Sequence, residues 1–358
     1  MWHENIESAK QHHIQWWNQQ GMVLHINLPP SEKPLHDHPD KPPVAKSCED
    51  FYINAKDRAQ RNHAHLAHQH FLADHLPIAD TMIGPGSLAL YLGSEPGFSK
   101  ETVWFEPCWQ TLDQPEDLPP LTFDPSCKWW QITEEILKES LVLSQGNYYT
   151  GCPDLVENLD ILSALRDPQT LLMDLMERPA WVEQKIEEIH QVYMDVHARI
   201  FELIHEPDGS FAFACFGLWA PGPMAKVQCD ASAMFSPAMF RQFVLPTLTA
   251  QCDWLDYSMY HLDGTQAMCH LDALLGIESL NAIEWTPQAG IENGGNPRWY
   301  PLYKQILDAG KSVQIIGVQP DELFPILDHL GSKGLFIMCH APDLDTAYAM
   351  IEKADRYR

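Results

Sequence analysis

The stretch 257–286, YSMYHLDGTQAMCHLDALLGIESLNAIEWT, carries the pattern that sets the fold. A β-rich run, Tyr257–Leu262, gives way to a helical pattern, Gln266–Leu275, and then to a second β-rich run, Ala282–Trp285. Two short strands joined by a helix of this length form a βαβ unit, whose strands lie parallel. The alternation repeats outward in both directions. Strands are predicted near Leu76–Ile83, Thr102–Phe105, Tyr148–Gly151, Phe211–Leu218, Lys226–Cys229, Val313–Ile316 and Leu335–Met338. Helical patterns lie between them, several with proline in the first turn (Pro168, Pro179, Pro237, Pro301, Pro320), where its missing N–H costs nothing. About eight strands alternating with helices predict an α/β protein built as a (β/α)8 TIM barrel. The competing arrangement, an open doubly wound sheet, lacks a GxGxxG after its first strand.

The expected division is 1–74, an N-terminal arm and helices packed on the barrel, and 75–358, the barrel itself. A short helix at Asn5–Gln20 leads into LHINLPPSEKPLHDHPDKPP, where prolines 29, 30, 34, 39, 42 and 43 forbid regular structure. Residues Asp50–Ala73 read as a helix carrying His63, His65, His68 and His70, a surface helix rather than a metal site. The arm either covers the barrel or meets a second subunit in a homodimer.

Composition excludes several classes. A formal net charge of −26 repels nucleic-acid phosphates and disfavours any strongly anionic ligand. No apolar run is long enough to cross a membrane, and the start, MWHENIESAK, lacks the basic-then-apolar pattern of a secretory signal. The 9 cysteines are an odd number without a CxxC, which speaks for reduced thiols in the cytoplasm rather than a disulfide framework.

In a barrel the chemistry gathers just past the strand ends. Those positions hold Asp80, Asp154, Trp219, Asp230, His261 with Asp263, Glu284 with Trp285 and Gln288, Gln314, and Cys339 with His340. His261 and Asp263 stand two apart, so they share a strand face. With Cys339 they make a candidate set of three ligands that leaves a fourth position open, as a catalytic zinc requires. Asp230 is a candidate catalytic group, and Asp154, Glu284, Gln288 and Gln314 are candidate substrate contacts. Trp219, Tyr260 and Trp285 either close the barrel mouth or form a stacking wall for a planar ligand.

Four segments carry a family resemblance: QCDASAMFSPAMFRQFVLPTL, YHLDGTQAMCHLDALLGIESLNAIEW, GKSVQIIGVQPDELFPIL and LFIMCHAPDLDTAYAMIEKA. Together they resemble the uroporphyrinogen decarboxylase superfamily, which also holds cobalamin-dependent methyltransferases. The likeness covers residues 75–358 and is strongest after 225. It implies the same (β/α)8 barrel. The decarboxylase branch implies Asp80 and His340 as acid and base on a tetrapyrrole, but the Arg-rich N-terminal segment of that branch is missing. The methyltransferase branch implies zinc held by an HxC pair and a late cysteine. His261 and Cys339 fit those places, and Asp263 departs from the expected Cys. The resemblance therefore implies a corrinoid-linked methyltransferase or demethylase for a small methylated substrate, with cobalamin delivered by a partner corrinoid protein. A cationic methylamine would suit an acidic pocket. A non-catalytic barrel that binds a corrinoid or metabolite is the reading from a different class.

Overall fold

Parallel pairing runs through the structure, a computed structural model that describes residues 1–37 and 41–358; Pro39 of the arm lies outside the described residues. Twelve strands are present among the described residues: β1 (Val23–Asn27), β2 (Ile78–Ala79), β3 (Glu95–Phe98), β4 (Val103–Glu106), β5 (Tyr149–Thr150), β6 (Phe211–Phe213), β7 (Leu218–Ala220), β8 (Met224–Gln228), β9 (Tyr257–Asp263), β10 (Ala282–Thr286), β11 (Ser312–Val318) and β12 (Leu335–His340). Six form one parallel sheet in the order β1-β12-β11-β10-β9-β8. Strands β2 and β5 form a separate parallel pair. The βαβ reading of 257–286 holds, with β9 and β10 adjacent and parallel.

Two predicted strands are corrected. Thr102–Phe105 belongs to the antiparallel hairpin β3–β4, and Phe211–Leu218 is split into the antiparallel hairpin β6–β7. The cause at the second place is the turn Ala214–Gly217, where Gly217 has φ +60 and a Cβ would come within 2.9 Å of His25 Nδ1. Only glycine lets that turn press against β1.

The arm also differs from expectation. Residues Val23–Asn27 form β1, paired in register with β12, so the arm supplies a sheet strand. Its sequence VLHIN is almost wholly buried, and the prolines that follow terminate it without preventing it. Helix α1 (Ile6–Trp17) packs beneath the sheet: Trp16 Nε1 donates to Val313 O at 3.3 Å and Trp17 Nε1 to Trp219 O at 2.9 Å. The predicted helix over 50–73 is two helices, α2 (Cys48–Ile53) and α3 (Ala55–Ala67), because the Asn54 side chain caps the second by accepting from Asp57 N.

The pair β2–β5 meets the neighbouring strands through the segments that flank it. Cys152 N donates to Ala212 O of β6 at 2.7 Å, and Asp74 N donates to Leu24 O of β1 at 3.0 Å. No helix among the described residues is long and apolar enough to cross a membrane.

The sheet's register builds a polar row through an apolar core. Gln228 pairs with His261, His261 with Glu284 and Glu284 with Gln314 across four adjacent strands. Registered neighbours in a parallel sheet project to the same face, so these four side chains share one face and His261 meets Glu284 there.

Candidate functional site

Glu284 is fully buried, and its two oxygens are both used: Oε2 meets His261 Nδ1 at 2.5 Å and Oε1 accepts from Thr286 Oγ1 at 2.7 Å. Burial alone would lower the His261 pKa, but the hydrogen bond and charge of Glu284 outweigh it and the net shift is upward. With Nδ1 engaged, Nε2 is the nitrogen left for other partners. One ligand atom each from Asp230, His261 and Asp263 lie within 4.8 Å of one another.

Asp230 follows β8 and opens the 3₁₀ turn Asp230–Met234. Asp160, on the helix Asn158–Arg166, anchors it: Asp160 accepts from Asp230 N and Ala231 N, both at 2.8 Å. Burial, together with the neighbouring Asp160 charge, pushes Asp230 up to about 6. Gln228 Nε2 donates to Asp230 Oδ2 at 2.8 Å.

Lys226 is the buried cation of this region. Its Nζ lies 2.7 Å from Asp154 Oδ2 and also donates to Gln228 Oε1. Lys226, Gln228 and Asp230 are two apart, so strand alternation brings them to one side. Five carboxylates (Asp154, Asp160, Asp230, Asp263, Glu284) therefore surround one lysine and one histidine in a connected network. Asp230 and Asp263 are exposed, so solvent shares their charge, and with His261 they could hold a cation.

Several predicted residues stand elsewhere. Cys339 is not in the His261–Asp263 group. Its strand neighbour Met338 receives Gln314 Nε2 on the polar face, so Cys339 turns the other way, toward Glu322 and Asp321. There burial pushes its thiol up to about 12, which disqualifies it as a ready thiolate. Asp154 is committed to Lys226 rather than open to substrate. The stacking wall is absent from the described residues: Trp219 packs against His13, Trp285 is wholly buried against Trp299, and Tyr260 is buried in the core. Tyr260 and Trp285 alternate with His261 and Glu284 and so lie on the opposite strand face, while Trp219 belongs to the β6–β7 hairpin. Gln288 pins the turn after β9 by accepting from Thr265 N at 2.8 Å. Gln314 donates to Phe216 O at 2.8 Å, holding the β6–β7 turn against the sheet. Phe216 in turn lies against the His261 ring, centroids 5.1 Å apart. Asp80 is exposed with Arg58 3.6 Å away, and His340 is exposed at the end of β12. Nothing in the contacts of either residue joins them as an acid–base pair.

The residues that sequence reasoning passed over are Lys226, Gln228, Asp160 and Thr286. The first two were visible as polar positions at period two within KVQCD, and Thr286 ends AIEWT the same way. Asp160 gave no signal, since it arrives from a helix distant in sequence.

A donor set of one imidazole and two carboxylates suits a borderline-to-hard divalent cation such as zinc. The second nitrogen of His261 bound to a buried carboxylate is the arrangement that orients metal-ligating histidines. The expected set of His261, a sulfur at position 263 and Cys339 does not form, because Asp263 stands at the second place and Cys339 faces away. Neither models of known protein families nor curated protein sequences give a match to this chain.

Proposed function

We propose that the chain is an enzyme of methyl-group transfer, moving a methyl group from a small methylated substrate to a corrinoid carried by a partner protein, with a divalent metal held by Asp230, His261 and Asp263. The metal site rests on the His261–Glu284 contact of 2.5 Å, beside two carboxylates at the ends of adjacent parallel strands, and the methyl chemistry on the sequence resemblance alone. When bound, the metal would supply Lewis acidity toward the atom that bears the methyl group.

The chain's own residues do the rest. Glu284 holds the His261 tautomer, and Thr286 holds Glu284. Asp160 fixes Asp230 through two backbone donors. Lys226 offsets Asp154 so that the remaining negative charge is directed at the metal. In this reading the carboxylates serve the metal, and the expected methylammonium ion is not needed to satisfy them.

The fold reading extends the same way. Eight strands with parallel partners, the six of the large sheet and the pair β2–β5, are the complement of a closed (β/α)8 barrel. Between the two sets stand β6, whose Ala212 O accepts from Cys152 N, and the antiparallel bridge of His25 in β1 to Ala73 ahead of β2. In such a barrel the site would lie at the C-terminal mouth, where barrel enzymes work.

The experiment is metal content by mass spectrometry on protein purified without chelator, alongside His261→Ala, Asp230→Ala and Cys339→Ser. About one divalent ion per chain, lost in the first two variants and retained in the third, supports the reading. Methyl transfer is then followed as the spectral conversion of cob(I)alamin to methylcobalamin with methylated amines, ethers and thioethers. No metal, or no conversion with any of the three classes, removes the proposal and favours a barrel that only binds.

A further inference from the structure

A second compartment opens beside the carboxylate group, on the other side of the β6–β7 turn. It is a cavity of about 330 Å³ between α3 and the ends of β1 and β2. That volume falls in the range of small-molecule sites. Its apolar walls are Leu66, Phe71, Leu76, Ile78, Met82 and Ala214. Its polar lining comes from two directions. Asn62, His65 and Gln69 project from α3 and its end at three- and four-residue spacing. His25, Asn27 and His75 come from β1 and the segment leading to β2.

The two inner histidines stack on one another, centroids 3.8 Å apart and 26° between planes. Stacked imidazoles this close cannot both be charged. Burial holds His75 down to about 4 and His25 well below its ordinary value, so both are neutral near pH 7. The tautomers follow from their partners. His75 Nδ1 lies 3.1 Å from Ile26 O, so it carries the proton and Nε2 keeps a lone pair. His25 Nε2 lies 3.1 Å from Asn27 Oδ1, and its buried Nδ1 has no partner. The inner wall thus offers imidazole acceptors with no proton of their own to give.

Charge completes the argument. No lysine or arginine lines the cavity, and its one carboxylate, Asp80 at the rim, already faces Arg58 at 3.6 Å. A carboxylate or phosphate would find no cation, and a cationic ligand would find no free anion. We infer that this cavity binds an uncharged small molecule with an apolar body and at least one hydroxyl or N–H donor, which His75 Nε2 accepts. The inference stands on the cavity alone. If the metal reading also holds, this is the class of its organic substrate, because one turn reaches both places, with Cys215 lining the cavity and Phe216 lying against the His261 ring.

The test uses four one-ring probes on the full chain, titrated by calorimetry. Benzyl alcohol and anisole are isomers that differ in one donor. Benzoate and benzylammonium carry opposite charges on the same ring. Benzyl alcohol should bind saturably and about tenfold or more tighter than the other three, the discrimination expected when one buried hydrogen bond is present or absent. His75→Phe, which keeps a ring for stacking, should bring benzyl alcohol down to the level of anisole.

A readout in the unaltered protein guards against misfolding of that variant. Cys215 lines the cavity and is exposed, as are Cys108 and Cys269, which do not line it. Saturating benzyl alcohol should slow alkylation of Cys215 by iodoacetamide, read by peptide mass spectrometry, and leave the other two unchanged. Binding should persist in His261→Ala, which separates this inference from the metal proposal. Equal binding of benzoate or benzylammonium, equal binding of anisole, or unprotected Cys215 at saturation would overturn it.

Discussion

His261 Nδ1 and Glu284 Oε2 stand 2.5 Å apart on adjacent parallel strands, and Glu284 is sealed from solvent. The contact does two things at once. It fixes which imidazole nitrogen is free, and it raises the basicity of that nitrogen. Glu284→Gln keeps the shape and one acceptor oxygen but removes the charge. Zinc affinity, measured by competition with a chromophoric chelator, should fall about 10- to 100-fold, the usual consequence of altering such a partner. Unchanged affinity would mean that Glu284 only packs.

Lys226 and Asp154 form a buried ion pair at 2.7 Å, their side chains 2% and 8% exposed. Breaking such a pair from one side strands a charge and costs about 3–5 kcal/mol. Lys226→Met and Asp154→Asn should each lower the urea midpoint strongly, with Lys226→Met the worse because Gln228 also loses its donor. The double variant should recover most of the loss. Additive losses would show that the two side chains act separately.

How much of this was legible in the sequence depends on the physical signal. The β9–helix–β10 unit was readable because strand and helix periods differ and the intervening segment is short. Strand β1 was hidden: five residues next to a proline-rich run carry little weight, although VLHIN alone is apolar enough to be buried. The hairpin β6–β7 reads as one strand in the sequence because its four-residue turn, ACFG, contains no proline and only one glycine. At the site, His261, Asp263, Glu284 and Asp230 were found from strand-end position, since parallel strands bring their ends together. Cys339 was misplaced by one residue's worth of alternation. Its neighbour Met338 faces the polar row instead, and a sequence does not display which face an almost uniformly apolar strand turns inward. Lys226 was overlooked because a lysine at mid-strand looks like a break in the core pattern until its partner, 72 positions away, is placed.

Three other histidines, His13 and His197 buried and His75 half-buried, make stability depend on acidity. Burial depresses His13, His75 and His197 to about 4 from an ordinary value of 6.5. Below pH 6.5 the unfolded chain takes up protons that the folded chain refuses until about pH 4. Stability is therefore full above 6.5 and is lost as pH falls through that window. Each group contributes a slope approaching 1.4 kcal/mol per pH unit. His197 Nε2 meets Met224 O at 3.1 Å, and its ring lies edge-on to Phe211 and Trp254. His197→Phe should lose about 1 kcal/mol at pH 7 for the missing hydrogen bond. Its decline from pH 6.5 to 4.5 should nonetheless be shallower by about one proton's worth, read from urea midpoints. An unchanged slope would place the acid sensitivity elsewhere.

The helix Lys128–Ser144 ends on Gln145, which is exposed and adopts φ 46, ψ 33, the left-handed conformation that glycine usually supplies at this position. The glycine comes one residue later, at Gly146 with φ +77, so two successive left-handed residues close the helix. A side chain in that region costs about 1–2 kcal/mol relative to the right-handed form. Gln145→Gly removes the cost, and the greater freedom of glycine in the unfolded chain takes back part of the gain. The net should be a stabilisation of about 0.5–1 kcal/mol, seen as a higher midpoint in thermal unfolding. The side chain makes none of the described hydrogen bonds, so nothing polar is lost with it. A lower midpoint would mean that Gln145 contributes packing or solvation that outweighs its backbone strain.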